Sequence, residues 1–479
     1  MFFWTMPDRW IGLAHLVVFI FGVLFNGLPH ADGSVIVPFW PLQMRPFNTP
    51  SIKLPPQLAQ QQFPEPLVRA LLRTWRPYNI PKSYQIQRRM TGSNPCASGS
   101  HSLPLINVRG TNYQVGFETG RLMREHIQAF YASFAPMHHK FLPFIRTDKG
   151  RRIFDGYLNA VRDVVPQYLE EIRGISDGSG VPFEQVFCMH IRSEISLILR
   201  QGHYETPACS TVFVNRPEAE IVGHNEDNDP EMKARSYMVS AEILAENGTL
   251  LEKFTAFSYP GCLPGNAFSF NRAGIIFTVN SESPIEIPTN KIPRYIMNRA
   301  LLSAESPEDF ERIISTPPGL AQGCSINVVF TRNPNDSIKM RNYELLGSFD
   351  ATIPTVIDRA ATFPYDLSKP NMEGNGYMYH WNKYERIRVK QNPDNIVSSV
   401  HRQNRAKQFP VPQNVENVLN ILGDTADADY PIYRTPNEKD GGCTIAVALF
   451  DLRNMTLSVY RDNPKTSSPL LTLPIPKLF

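Results

Sequence analysis

Residues 207–229, PACSTVFVNRPEAEIVGHNEDND, bring a thiol, two hydroxyls, an imidazole and several carboxyl groups into one short stretch. Cys209 opens a β-branched, apolar run, Ser210-Thr211-Val212-Phe213-Val214. Arg216-Pro217-Glu218-Ala219-Glu220 is a turn signal, Ile221-Val222 resumes the apolar run, and His224-Asn225-Glu226-Asp227-Asn228-Asp229 ends it. A hairpin here folds the segment back and brings Cys209 close to Asp227, eighteen positions on. A thiol beside a carboxylate, with Ser210 and Thr211 adjacent, is the outline of a covalent nucleophilic site. The plainer alternative is a core cysteine starting a buried strand, followed by a solvated acidic turn, since single cysteines are usually core residues.

The elements that must position these residues differ on either side of Cys209. Before it the chain reads as helical. Leu105-Ile106-Asn107-Val108 is a short strand, and the next stretch has Val115, Thr119, Leu122, Met123, Ile127 and Phe130 on one helical face. Gly116 and Gly120 lie four apart on that helix, where they cost stability unless another element packs closely against them. A second helical pattern covers 154–175, and Pro166 predicts a kink or break near Val165. A third helix starts at Pro182 and runs to about Leu199.

After Cys209 the chain reads mainly as strands. Hairpins are predicted for 237–244 with 250–257 across Glu246-Asn247-Gly248, for 267–271 with 274–279, and for 444–449 with 455–460. Short helices are expected at 292–302, 307–314 and 414–423, and a strand at 325–331. Helices followed by hairpins, with helices between, predict an α+β fold of layered antiparallel sheets.

Composition sets wider limits. The 479 residues are 42% hydrophobic and 19% charged, which fits a globular chain with one large domain or two ordinary ones. A net charge of +3 is too close to balance to point to a nucleic acid. The six cysteines are widely spread and form no C-x-x-C pair, so neither a metal nor a redox motif is expected.

Residues 11–28, IGLAHLVVFIFGVLFNGL, fit the apolar core of a signal peptide or a signal anchor. Secretory-pathway entry is therefore expected, with membrane contact through 11–28. Sequons stand at Asn247, Asn335 and Asn454. From Pro29 to Pro104 there are thirteen prolines and little periodicity. The expected organisation is a signal or anchor at 1–31, a proline-rich linker or strap at 32–104, a catalytic domain at 105–465, and a tail at 466–479.

Five stretches, in order, resemble one family: NVRGTNYQVGFETG, LEEIRGISDGSGVPFEQVFCMHIRSEI, CSTVFV with GHNEDND, YHWNKYER, and YPIYRTPNEKDGGCTIAVALFDLRNMTLSVYRDNP. Together they look like the cysteine N-terminal nucleophile hydrolases typified by acyl-coenzyme A:isopenicillin N acyltransferase and insect β-alanyl-dopamine hydrolase. The resemblance covers about 105–465 and implies a four-layer α-β-β-α sandwich. It implies Cys209 as nucleophile and self-cleavage of the Ala208–Cys209 bond, with the two fragments staying associated. Cleavage would free an α-amino group, of reference pKa about 7.7–8.0, to serve as base for its own thiol. The resemblance further implies Asp227 as holder of that amine and Asn382 as an oxyanion donor. Thr211 would assist self-cleavage, Arg434 would orient an acyl carboxylate or Asp227, and Asn225 would line the pocket.

Two residues depart from the family pattern: Ala208, where glycine is usual, and Ser210, where threonine is common. Alanine lacks the backbone freedom of glycine, so slower or absent self-cleavage is expected. The leading functional expectation is hydrolysis of a small N-acyl or aminoacyl amine. The alternatives are acyl transfer from acyl-coenzyme A to an amine, and an uncleaved relative that only binds a ligand. No cofactor is expected.

Overall fold

The computed structural model describes residues 102–199, 208–331, 340–362, 368 and 374–476. The expected signal segment, the proline-rich strap up to residue 101 and the sequon at Asn335 lie outside the described residues.

Strand β1 (Leu105–Gly110) leads into eight helical segments: α1 (Asn112–Leu122), α2 (Arg124–Ser133), a π-turn at Met137–Phe141, α3 (Leu142–Ile145), α4 (Asp148–Val164), α5 (Pro166–Ser179), α6 (Phe183–His190) and α7 (Arg192–Leu199). The predicted break at Pro166 is present, because α4 stops before it and α5 starts on it. The stretch read as one helix from Val115 to Phe130 breaks at Met123, and the one from Pro182 breaks at Ile191. Thr111 caps α1 in a reciprocal box with Gln114.

The glycines of α1 do face a second helix. A Cβ on Gly116 would stand 2.0 Å from the carbonyl oxygen of Glu171, and one on Gly174 of α5 would stand 2.1 Å from that of Tyr113. Two small-residue faces thus let the backbones of α1 and α5 touch. The pair packs on a sheet, with Val115, Thr119 and Ile175 meeting Val239, Ala241 and Phe254 around a small shared cavity.

The second half supplies β2 (Ala208–Arg216), β3 (Ala219–Asn228), α8 (Pro230–Lys233), β4 (Tyr237–Leu244), β5 (Leu250–Ser258), β6 (Phe268–Asn271), β7 (Ile275–Ser281), α9 (Arg294–Leu301) and α10 (Pro307–Ile314). Then come β8 (Cys324–Phe330), β9 (Met340–Gly347), β10 (Thr355–Thr362), β11 (Tyr377–His380), α11 (Pro393–Ala406), α12 (Val415–Leu422), β12 (Cys443–Asp451), β13 (Thr456–Tyr460) and β14 (Leu471–Pro474). One sheet has the order β1-β4-β5-β6-β7-β8-β9-β10, antiparallel except that β1 runs parallel to β4. The other has the order β11-β2-β3-β12-β13-β14. Leu471–Pro474 falls within the stretch set apart as a tail and pairs along β13.

Alternation along β2 accounts for the layering. Phe213 joins the main core between the sheets, whereas Val212 and Val214 face a second cluster with Val418, Ile421 and Leu422 of α12. The order across the molecule is helices, sheet, sheet, helices. This is the α-β-β-α sandwich within an α+β fold that the sequence predicts.

Candidate active site

The β2–β3 hairpin sets the site. Its register places Ala208 opposite Asp227 and Cys209 opposite Glu226. The polar run His224–Asn228 is not the acidic turn that the sequence suggests. It continues β3 as a buried strand between β2 and β12, where ladder bonds satisfy its backbone.

Cys209 is 2% exposed. Its backbone N–H donates to Asn382 Oδ1 at 2.7 Å, and its carbonyl oxygen accepts from Arg402 Nη1 at 2.5 Å. Arg402 Nη1 also donates to Ser210 Oγ at 2.9 Å, and its Nη2 donates to Asn382 Oδ1 at 2.9 Å. The guanidinium thereby ties Cys209 to Asn382 across two elements. Burial lowers the Arg402 pKa to about 10, so it stays charged near neutrality.

Asn382 is where the sequence places it, with an amide orientation fixed by its neighbours. Nδ2 donates to the Ser281 carbonyl at 3.0 Å, so the carbonyl oxygen faces Cys209 N and Arg402. The resemblance implies an N–H donor for an oxyanion; here the group presented to the Cys209 nitrogen is the acceptor.

The Cys209 thiol donates to Glu226 Oε2 at 3.5 Å. Glu226 Oε2 lies 3.2 Å from His224 Nε2, and Glu226 Oε1 accepts from the Tyr259 hydroxyl. His224 also joins the network around Thr211. Asn280 Nδ2 donates to the His380 carbonyl, which leaves Asn280 Oδ1 to accept from the Thr211 hydroxyl at 3.0 Å. Thr211 Oγ1 also lies 2.9 Å from His224 Nδ1. The Cys209 thiol thus faces a carboxyl that in turn faces the imidazole.

The electrostatics agree with that reading. Burial pushes the Cys209 thiol well above its usual range, with the Glu226 and Asp227 carboxyls adding to the rise. Burial raises Glu226 strongly, against the hydrogen bond from Tyr259. Burial also lowers His224 to about 3, so its ring is neutral.

Asp227 Oδ1 accepts from Thr444 Oγ1 at 2.6 Å. Its Oδ2 has no hydrogen-bond partner among the described residues, and Arg434 Nη1 stands 3.9 Å away. Burial raises the Asp227 pKa, opposed first by Arg434 and then by Arg402. Arg434 is bound mainly to Asp440, through Nε at 2.8 Å and through Nη2. Asn225 does not line the site by its amide nitrogen, which donates to Leu422 and Ile432 carbonyls and pins the end of α12.

Sequence reading singles out Cys209, Asp227, Asn382 and Thr211, and the fold gathers all four. It misses Glu226, His224 and Arg402. The pairing of Glu226 with Cys209 is legible once the hairpin register is drawn from the turn at 216–220. Arg402 has no such signal, being 193 residues from Cys209 on a helix not foreseen.

This geometry places a thiol at the head of a strand, with a carboxyl facing its sulfur and an amide oxygen on its nitrogen. The chain belongs to the acyl-coenzyme A:6-aminopenicillanic acid acyl-transferase family, whose profile matches residues 214–466. It is an N-terminal nucleophile enzyme acting on non-peptide amide bonds. It is similar to the β-alanyl-dopamine/carcinine hydrolase of Drosophila melanogaster, 31% identical over 385 residues that cover 78% of this chain and 96% of the fly protein. Two solved structures are more distant. A conjugated bile acid hydrolase variant from Clostridium perfringens is 9% identical with a TM-score of 0.31, covering 56% of this chain and 97% of that one. Penicillin V acylase from Agrobacterium tumefaciens is 12% identical with a TM-score of 0.30, covering 55% and 84%.

Proposed function

We propose that the protein is a self-processing cysteine amidohydrolase for a small N-acyl or aminoacyl amine. The arrangement around the Cys209 nitrogen carries this reading. That atom already donates to Asn382 Oδ1, and Asp227 lies opposite Ala208 with one oxygen without a hydrogen bond.

In the uncleaved chain the nitrogen is an amide and cannot act as a base. The thiol proton then passes to the Glu226–His224 pair as sulfur attacks the Ala208 carbonyl carbon. The C–N bond breaks, a proton goes to the leaving Cys209 nitrogen, and water hydrolyses the resulting thioester. The products are the Ala208 carboxylate and a Cys209 with free thiol and free amine. That amine, held by Asn382 Oδ1 and Asp227 Oδ2, takes the thiol proton in each later turnover. Sulfur attacks the substrate carbonyl, the substrate amine leaves with the proton, and water releases the acyl group.

The activity of the fly relative supports an aminoacyl amine as substrate. Acyl transfer from acyl-coenzyme A is the second reading, supported by the family description. The test is to incubate purified protein with β-alanyl amines and plain N-acyl amines and measure amine release. Wild type releases amine, and Cys209→Ala does not. Release that survives in Cys209→Ala would remove this cysteine from the mechanism.

The secretory location is part of the same proposal. Among the described residues no helix is long and apolar enough to cross a membrane, and residues 11–28 lie outside them. Support comes from the sequons at Asn247 and Asn454, both exposed on hairpin turns. Loss of apparent mass on N-glycosidase treatment of secreted protein checks it.

A further inference from the structure

The trio Cys209, His224 and Glu226 is arranged for more than proton transfer. One ligand atom from each lies within 4.8 Å of the others, and all three residues are buried. Two of the three separations are 3.5 Å, from Sγ to Oε2, and 3.2 Å, from Nε2 to Oε2. A tetrahedral zinc with Zn–S about 2.3 Å and Zn–N and Zn–O about 2.0–2.1 Å holds such ligand pairs about 3.6 Å and about 3.3 Å apart. Two of the three ligand pairs therefore stand at zinc-ligand spacing.

We propose that Cys209, His224 and Glu226 form a zinc site that reversibly blocks the nucleophile.

The chemistry of the donors fits this ion. Thiolate, imidazole and carboxylate form a mixed S, N, O set that zinc accepts in tetrahedral geometry, with a fourth position left for water. The imidazole turns its Nε2 towards Glu226, with Nδ1 2.9 Å from Thr211 Oγ1. Thr211 and Tyr259 orient the His224 and Glu226 ligands from outside, as partners of metal ligands commonly do. Binding replaces two protons, one from sulfur and one from the carboxyl, by one doubly charged cation. Zinc with one thiolate, one carboxylate and one neutral imidazole carries no net charge, which suits a buried site. The Arg402 charge is turned to the backbone of Cys209 and to Asn382. No C-x-x-C motif announces the site, because hairpin pairing assembles it from β2 and β3.

The ion's binding does not depend on the proposed reaction; its inhibitory effect does. The test is a titration of the full-length protein with Co2+, followed by displacement with Zn2+. Wild type is expected to take one cobalt with a thiolate charge-transfer band in the near ultraviolet and tetrahedral bands in the visible, all removed by Zn2+. Cys209→Ala should lack the thiolate band. His224→Gln and Glu226→Gln should each weaken binding by more than about tenfold, and Thr211→Val by about 10–100-fold. A wild-type protein without the band, or affinities within twofold of wild type in His224→Gln and Glu226→Gln, would overturn the site. A second measurement needs no variant. Zn2+ should protect Cys209 from iodoacetamide, read by peptide mass, and a chelator should restore labelling. Equal labelling with and without Zn2+ would overturn it as well. Where substrate turnover is in hand, Zn2+ should abolish it and a chelator should restore it; turnover unaffected by bound zinc would overturn the blocking role while leaving the hydrolase reading intact.

Discussion

At the scale of residues, two carboxyls one position apart on β3 are given different work by strand geometry. Glu226 faces the sulfur, and Asp227 lies opposite Ala208 with an oxygen that accepts no hydrogen bond among the described residues. The account separates them kinetically. Glu226→Gln is expected to slow appearance of the fragment starting at Cys209, read on a time-resolved gel. Asp227→Asn is expected to lower turnover of already processed enzyme by roughly 10²–10⁴-fold, the range for a positioned acid–base partner. Equal effects of both variants on both steps would contradict the division. Arg402 is the third residue of weight here. Its fork reaches Cys209 O and Asn382 Oδ1 together, and one ammonium cannot span both in that geometry. Arg402→Lys should therefore lower kcat with little change in KM. A kcat within twofold of wild type would show that the clamp is unnecessary.

At the scale of elements, the α1–α5 contact has the most direct test. Gly116 meets the Glu171 carbonyl, so Gly116→Ala forces the two helices apart. A loss of about 1–3 kcal/mol is expected, read by chemical denaturation. An unchanged midpoint would mean that the helix backbones do not touch. This contact was half legible: Gly116 and Gly120 announce a close neighbour, but the spacing does not say that the neighbour is α5. The hairpins were legible because Asn247-Gly248 and the Asn271–Gly274 turn carry their own backbone chemistry, and Gly248 takes a φ of 84°. The β9, β10 and β11 strands and helix α11 were not read, and with α11 went Arg402. The end of β3 was misread because polar residues usually mark turns. Here Asn225 bonds carbonyls at α12 and beyond, Asp227 bonds Thr444, and Glu226 bonds Tyr259, so tertiary partners replace solvent. Those partners are 33 to 217 residues away, where local pattern carries no information.

At the scale of the whole molecule, the two sheets close over buried polar groups, and this links stability to pH. His190 is buried, donates from Nδ1 to the Val186 carbonyl at 2.7 Å, and accepts at Nε2 from the Leu263 N–H at 2.8 Å. Burial lowers its pKa to about 4, while the backbone hydrogen bond pulls the other way. A depressed histidine pKa leaves its share of stability intact above the unfolded value of about 6.5 and removes it as pH falls towards the folded value. Relative to His190→Gln, which does not titrate, wild type is expected to lose about 1.4 kcal/mol per pH unit over this window. Parallel stability curves for the two proteins would contradict a neutral buried ring. The same closure explains why Cys209, at 2% exposure, sits among groups that push its thiol pKa up. The most direct measurement is the mass of the purified protein's chains after storage at neutral pH. The account predicts a fragment running from Cys209 to Phe479, absent in Cys209→Ala. A protein that stays uncut at Ala208–Cys209 and still hydrolyses amides would contradict it.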